Sequence, residues 1–172
     1  QSIRHELQQK GVQFRTQSDT EVLLYAYIHF GNDCLHKLNG FFAFAVYDKE
    51  AEKLFIACDR FGIKPLYYYQ DEDYFFFGSE LKAILNFPVP KEINWSSVSL
   101  YFQLNYIPGK NSVFKDIQRL EPGSFIEINS RPSTVDRRPW SVQHWYTIPY
   151  NALQAEQNQL SYSEQKKKFI DL

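Results

Sequence analysis

The sequence predicts an α+β domain in which strands form the centre and helices flank them, and three features lead there. Apolar runs of strand length gather between residues 41 and 77, stretches of helical periodicity lie before and after them, and Gly, Asn and Pro punctuate the joins. The bulk for a core is also present. Of 172 residues 44% are hydrophobic, with fifteen Phe and twelve Tyr, which excludes disordered and fibrous classes. One domain with a remainder for a connector is the expectation at this length.

Ile3 and Leu7 share a helical face and Gly11 stands where helices end, so the chain reads as opening inside a helix that runs to Lys10. With no Met in the chain, that opening leads us to expect an N-terminus further upstream. A second helix starts at Ser18, which forms a capping box with Glu21, and continues through Val22, Leu23, Ala26, Tyr27 and Phe30 to Gly31. Asn39-Gly40 then turns the chain into Phe41–Asp48. That run is apolar on both sides, Phe42, Phe44 and Val46 on one and Phe41, Ala43, Ala45 and Tyr47 on the other, the pattern of a strand covered from both faces. The charged stretch Lys49–Glu52 makes a hairpin turn into a second strand, Lys53–Asp59, and the pair is expected in a sheet interior. A loop over Arg60–Pro65 precedes the aromatic strand Leu66–Gln70, and the acidic turn Asp71–Asp73 precedes Tyr74–Phe77. Ser79 is the expected cap of a short helix ending near Leu85.

Beyond Phe87-Pro88-Val89-Pro90 the chain takes on the texture of a connector, with a helix after Asn94, a Pro108-Gly109 turn and a strand at Phe125–Ile128 announced by Pro122-Gly123. Aliphatic residues thin out from Ser130, so Ser130–Leu172 reads as linker, with Ser161–Leu172 opening a further helix.

Charge and residue types narrow the chemistry. Nineteen basic and twenty acidic residues are mixed along the chain and sum to −1, which gives no footprint for nucleic acid or an anionic membrane. The run Lys166–Lys168 reads as a solvated helix face. Cys34 and Cys58 cannot build a disulfide framework, and their neighbours Asp33 and Asp59 oppose thiolate formation, so a reducing, cytoplasmic compartment is expected. No apolar run approaches the roughly eighteen residues of a membrane span, and no leader is visible. His5, His29, His36 and His144 are scattered without ligand spacing, so no metal site is expected. The glycines are isolated, so no loop cradles a phosphate.

The most informative stretch is Asp59-Arg60-Phe61-Gly62-Ile63-Lys64-Pro65-Leu66-Tyr67-Tyr68. By itself it reads as a tight loop with a structural Asp-Arg pair. Alongside it stand Ser18-Asp19-Thr20-Glu21-Val22-Leu23, Leu38-Asn39-Gly40-Phe41-Phe42-Ala43-Phe44-Ala45 and Gly78-Ser79-Glu80-Leu81-Lys82-Ala83. Taken in order and spacing these resemble the class II glutamine amidotransferases, and among them the asparagine synthetases. Val113-Phe114-Lys115 and Leu120-Glu121-Pro122-Gly123 extend the likeness, which covers residues 1 to 128. One departure is Cys58, where the family usually carries Arg.

The resemblance implies the four-layer αββα sandwich of N-terminal-nucleophile hydrolases, incomplete at its N-terminus. It divides the chain into a partial amidotransferase domain over 1–90, the end of that domain and a connector over 91–129, and linker leading into a synthetase domain over 130–172. It also implies a reaction, in which an N-terminal cysteine attacks the side-chain amide of glutamine, with its own amino group as base and an upstream Asn-Gly pair as oxyanion hole. None of those parts is in this stretch, so no catalytic residue is assigned; Cys34 and Cys58 are not at a terminus, and Asn39-Gly40 is not that pair. By its place in the motif, Asp19 is expected to accept the α-ammonium of bound glutamine, although an Asp just after a cap also suits the helix dipole without any ligand. Arg60, Gly62, Lys64 and Pro65 are candidates for scaffold or for a contact with the synthetase domain. That domain would activate aspartate with ATP and magnesium and receive ammonia through an internal tunnel, and the resemblance admits a homodimer. The alternatives are a class II relative making phosphoribosylamine or a hexosamine phosphate, and a catalytically silent module of the same fold.

Overall fold

In the computed structural model, which describes residues 2–129, 140–148 and 164, the described strands pair into two antiparallel sheets. One runs in the order β1 (Ala43–Asp48), β2 (Lys53–Cys58), β6 (Ser124–Asn129), β7 (Trp140–His144). The other runs β4 (Phe75–Gly78), β3 (Tyr67–Gln70), β5 (Ile117–Arg119). The helices are α1 (Ser2–Gln9), α2 (Asp19–Phe30), α3 (Cys34–Lys37), α4 (Leu81–Ile84) and α5 (Trp95–Leu104).

Successive strand residues point to opposite faces, and β2 sorts its side chains into two layers accordingly. Phe55 and Ala57 join Phe125 of β6 against Leu7 of α1, Ala26 of α2, and Cys34 and Leu35 of α3. Ile56 and Cys58 join Ile126 on the other face and meet Tyr68 of the second sheet and Leu66 just before it. From β3, Tyr69 turns to the far side, where it packs with Ile117 and with Ile84 of α4. Helices, sheet, sheet, helix is thus the layer order, the αββα sandwich that the resemblance implies. Phe55 centres the first interface: its ring stacks on Tyr27 at 4.9 Å and meets Phe125 at 5.4 Å. Truncating it would cost about 3–5 kcal/mol.

Several elements differ from the sequence reading. Strand β1 is an edge among the described residues, bonded to β2 alone, with Phe41 just before it 66% exposed and Tyr47 55% exposed. Alternation reports which faces are apolar and says nothing of which edges are paired, so the expected interior position did not follow. The capping box is half formed. Ser18 Oγ accepts from Thr20 N at 3.1 Å, while Glu21 binds Arg15 N, Thr16 N and Thr16 Oγ1 in place of Ser18 N. Glu80, without a side-chain cap bond, occupies the N-cap of α4 that Ser79 was expected to fill. Strand β5 was not foreseen, since only three residues form it, against the aromatic strand β3.

Within the expected linker, Trp140–His144 is the fourth strand of the first sheet. Trp140 and Val142 pack between the sheets, and Trp145 enters the helix-covered layer and donates from Nε1 to Cys58 O at 3.2 Å. A five-residue strand with two inward side chains leaves little trace among polar neighbours. The helix expected over 161–172 lies outside the described residues apart from residue 164.

Candidate functional site

The start of α2 is fixed before any ligand is considered. Arg4 donates to Thr16 O and Ser18 O at 3.1 and 3.3 Å, and Glu21 gathers the 15–16 backbone, so the chain enters the helix in one direction. Asp19 is the first helical residue, where the helix dipole favours a carboxylate by about 0.3–1 kcal/mol. It lines a cavity of about 890 Å³ that extends from the first turns of α2 along β1 and also takes in Asn39, Gly40, Lys64 and Ser79. Among the described residues no donor pairs with the Asp19 carboxylate. An unpaired carboxylate on a partly apolar cavity, with an ammonium group from Lys64 on the same lining, is suited to a small zwitterion.

The loop after β2, which brings Lys64 to that cavity, is organised by Asp59. This side chain is 1% exposed, and its carboxylate accepts from Phe42 N, Phe61 N, Ile63 N and Lys64 N at 3.0–3.2 Å. Burial opposes its charge, but the four donors outweigh burial and hold the carboxyl below its ordinary value of 3.8. Its backbone adds more ties, donating to Phe42 O and accepting from Gly62 N and Gly123 N. Lys64 is therefore bound to the scaffold by its backbone while its side chain is exposed and lines the cavity.

Arg60 does not pair with Asp59. It donates to Leu38 O at 2.6 Å and to His36 O at 3.4 Å, and its guanidinium lies 4.9 Å from the Trp145 ring and 5.4 Å from that of Tyr146. Gly62 has φ +62°, and a Cβ there would stand 3.0 Å from Pro122 Cγ and 3.3 Å from Arg119 Nη2. Its carbonyl accepts from that same Nη2, while Arg119 Nε is buried with no partner among the described residues. Pro65 is half-buried at the entry to β3. Of the residues singled out in sequence, Asp19 and Lys64 thus line the same cavity, and Arg60 and Gly62 lie away from its lining. Sequence reasoning missed Asp59 as the hub. The available signal was an Asp followed three residues later by Gly, a pattern in which the carboxylate turns back onto its own loop.

Both thiols are inert by position. Cys34 and Cys58 are buried, and burial pushes each up to about 11. Cys58 Sγ donates to Glu121 O at 3.0 Å in the space between the sheets. Among the described residues no group of three or more His, Cys, Asp or Glu is placed to hold a metal, and no helix is long and apolar enough to cross a membrane.

The double-sheet sandwich is also that of the glutamine phosphoribosylpyrophosphate amidotransferase of Bacillus subtilis solved with ADP and GMP. That structure superposes with a TM-score of 0.54 at 20% identity, over 86% of this chain and 27% of that one. The fold is therefore the N-terminal-nucleophile hydrolase sandwich. The model of the glutamine amidotransferase domain matches residues 1–141, and the chain belongs to that family. It is similar to glutamine-hydrolysing asparagine synthetase 3 of Bacillus subtilis, with 39% identity over 146 residues, or 83% of this chain and 24% of the relative. Glutamine-hydrolysing asparagine synthetase 1 of the same organism is 38% identical over 73% of this chain and 20% of its own length. The chain thus spans about a quarter of the length of the curated relatives it matches.

Proposed function

We propose that this chain is the glutamine-binding part of an asparagine synthetase, in which hydrolysed glutamine supplies ammonia for ATP-dependent amidation of aspartate to asparagine. The relatives' names support the overall reaction, and one observation supports the site: Asp19 lines the cavity with no partner among the described residues while its helix start is held rigid. In this reading Asp19 accepts the α-ammonium of glutamine, and Lys64 faces the α-carboxylate from the same lining. A charge-assisted bond of this kind contributes about 1.5–3 kcal/mol, which is tenfold or more in affinity.

The attacking cysteine and oxyanion donors belong to residues outside this chain, since Cys34 and Cys58 are buried and held neutral. In this reading ATP and magnesium act in a synthetase domain that follows β7 in the full-length protein. A reducing cytoplasmic setting agrees with two buried, unpaired thiols. The phosphoribosyl alternative gains nothing from the structural likeness, which at 20% identity speaks for the fold alone.

Asp19→Ala in the full-length protein tests the reading. The KM for glutamine should rise about tenfold or more, while asparagine synthesis from added ammonia stays within about twofold. Equal loss of both activities would make Asp19 a structural residue. No glutamine hydrolysis by the unaltered protein would return the chain to the silent module.

A further inference from the structure

Helix α5 carries large apolar side chains on both of its sides. Ser97, 1% exposed, marks the side on which it rests, and Asn105 adopts the left-handed conformation that ends it. At about 100° per residue, Trp95 and Phe102 lie roughly 140–160° around the helix from Ser97. They are 74% and 79% exposed, whereas Leu100, Tyr101 and Leu104 lie within about 60° of Ser97, so two large aromatic residues stand on the side turned away from the protein. Fraying does not explain this. Asn94 caps the helix by accepting from Ser97 N at 3.2 Å, and Asn105 N donates to Tyr101 O at 2.8 Å.

The surrounding sequence continues the pattern. From Ile93 to Gly109 no residue carries a charge. A solvated helix face ordinarily carries Lys and Glu, whereas the centre of an interface is depleted in charge and enriched in aromatic side chains. Next to the exposed face, Tyr101, Tyr106 and Ile107 line a cavity of about 300 Å³ with Tyr67, Leu81 and Arg119. A cavity of that kind beside an aromatic ridge is a socket for one anchoring side chain.

We propose that the outer face of α5 is the seat of the remainder of the full-length chain, the synthetase domain inferred above, packed on Trp95 and Phe102 with an apolar side chain in the Tyr101–Tyr106 socket. This rests on the proposed function for the identity of the occupant. Its size is consistent with the relatives, of whose length this chain spans 24% and 20%, leaving a large body of protein to be docked. A covalently attached domain also meets the face at an effective concentration near millimolar, well above that of a second copy in ordinary solution.

The test uses the full-length protein with a site for a sequence-specific protease inserted after Ile148. After cleavage the two halves should stay together on gel filtration. Trp95→Asp combined with Phe102→Asp should weaken their association about tenfold or more, so that they separate. Tyr74→Asp alters another exposed aromatic residue, 58% exposed near β4, and should leave the halves together. Unchanged circular dichroism shows that each variant is folded; a misfolded double variant is replaced by Phe102→Ser, for which separation is still expected. Halves that part without any substitution, or that stay together in the folded variant, overturn the proposal. So does a fall in native mass from dimer to monomer with the halves still joined, which would assign the face to a second copy. Asparagine synthesis from ammonia is read on the same uncut protein. Its absence alongside halves that part only in the variant would overturn the proposed function and leave the docking face standing.

Discussion

A buried carboxylate ordinarily resists ionisation, and Asp59 stays ionised because four backbone N–H groups converge on it, one from Phe42 just before β1 and three from its own loop. Asn in its place offers one acceptor oxygen and turns an NH2 group towards donors. Asp59→Asn is therefore expected to cost about 3 kcal/mol, read from the urea midpoint. The pH dependence follows from the lowered carboxyl. Its stabilisation is complete above the ordinary value of 3.8 and is lost as pH falls through that value towards the folded one. Between about pH 5 and pH 2 the unaltered protein should lose stability more steeply than Asp59→Asn. The place of Asp19 at the start of α2 was readable because the cap and the first helical turn lie within one continuous motif. Asp59 was legible as a loop residue but not as a hub, since Phe42 and Gly123 reach it from distant parts of the chain.

Two turns decide how the elements join. Gly123 has φ +64°, and a Cβ there would stand 2.4 Å from Tyr146 O; at Gly62 the nearest atom is the side-chain Cγ of Pro122 at 3.0 Å. A proline edge can yield slightly. A backbone oxygen cannot, least of all here, where Trp145 N and Tyr146 N both donate to Gly123 O. Gly62→Ala should cost about 1–2 kcal/mol and Gly123→Ala distinctly more, about 3 kcal/mol or above, measured as loss of thermal stability. The reverse order would mean that the chain after β7 is not held against this turn. Strand β7 itself escaped the sequence reading because two inward residues, Trp140 and Val142, are too few to establish a period against polar neighbours. The caps at Ser18 and Asn94 were readable, being local hydrogen bonds between residues two or three apart.

At the scale of the molecule, the two cysteines sit in different layers, Cys34 between helices and the first sheet and Cys58 between the sheets. Burial pushes both thiols up to about 11. Neither should react with a disulfide reagent near neutral pH in the folded protein. If the layers unfold as one unit, both should become reactive at the same urea concentration. Separate midpoints would show that the layers open independently. The sequence by itself determined the helices α1, α2, α4 and α5, the strands β1 to β4 and β6, and the motif that carries Asp19, because periodicity, caps and turns act over a few residues. Only the tertiary structure decided that β1 pairs with β2 alone among the described residues, that Arg60 bonds Leu38 and not Asp59, and that Trp95 and Phe102 of α5 face outward. Those outcomes depend on which distant segments come to lie against one another, and no local pattern encodes that.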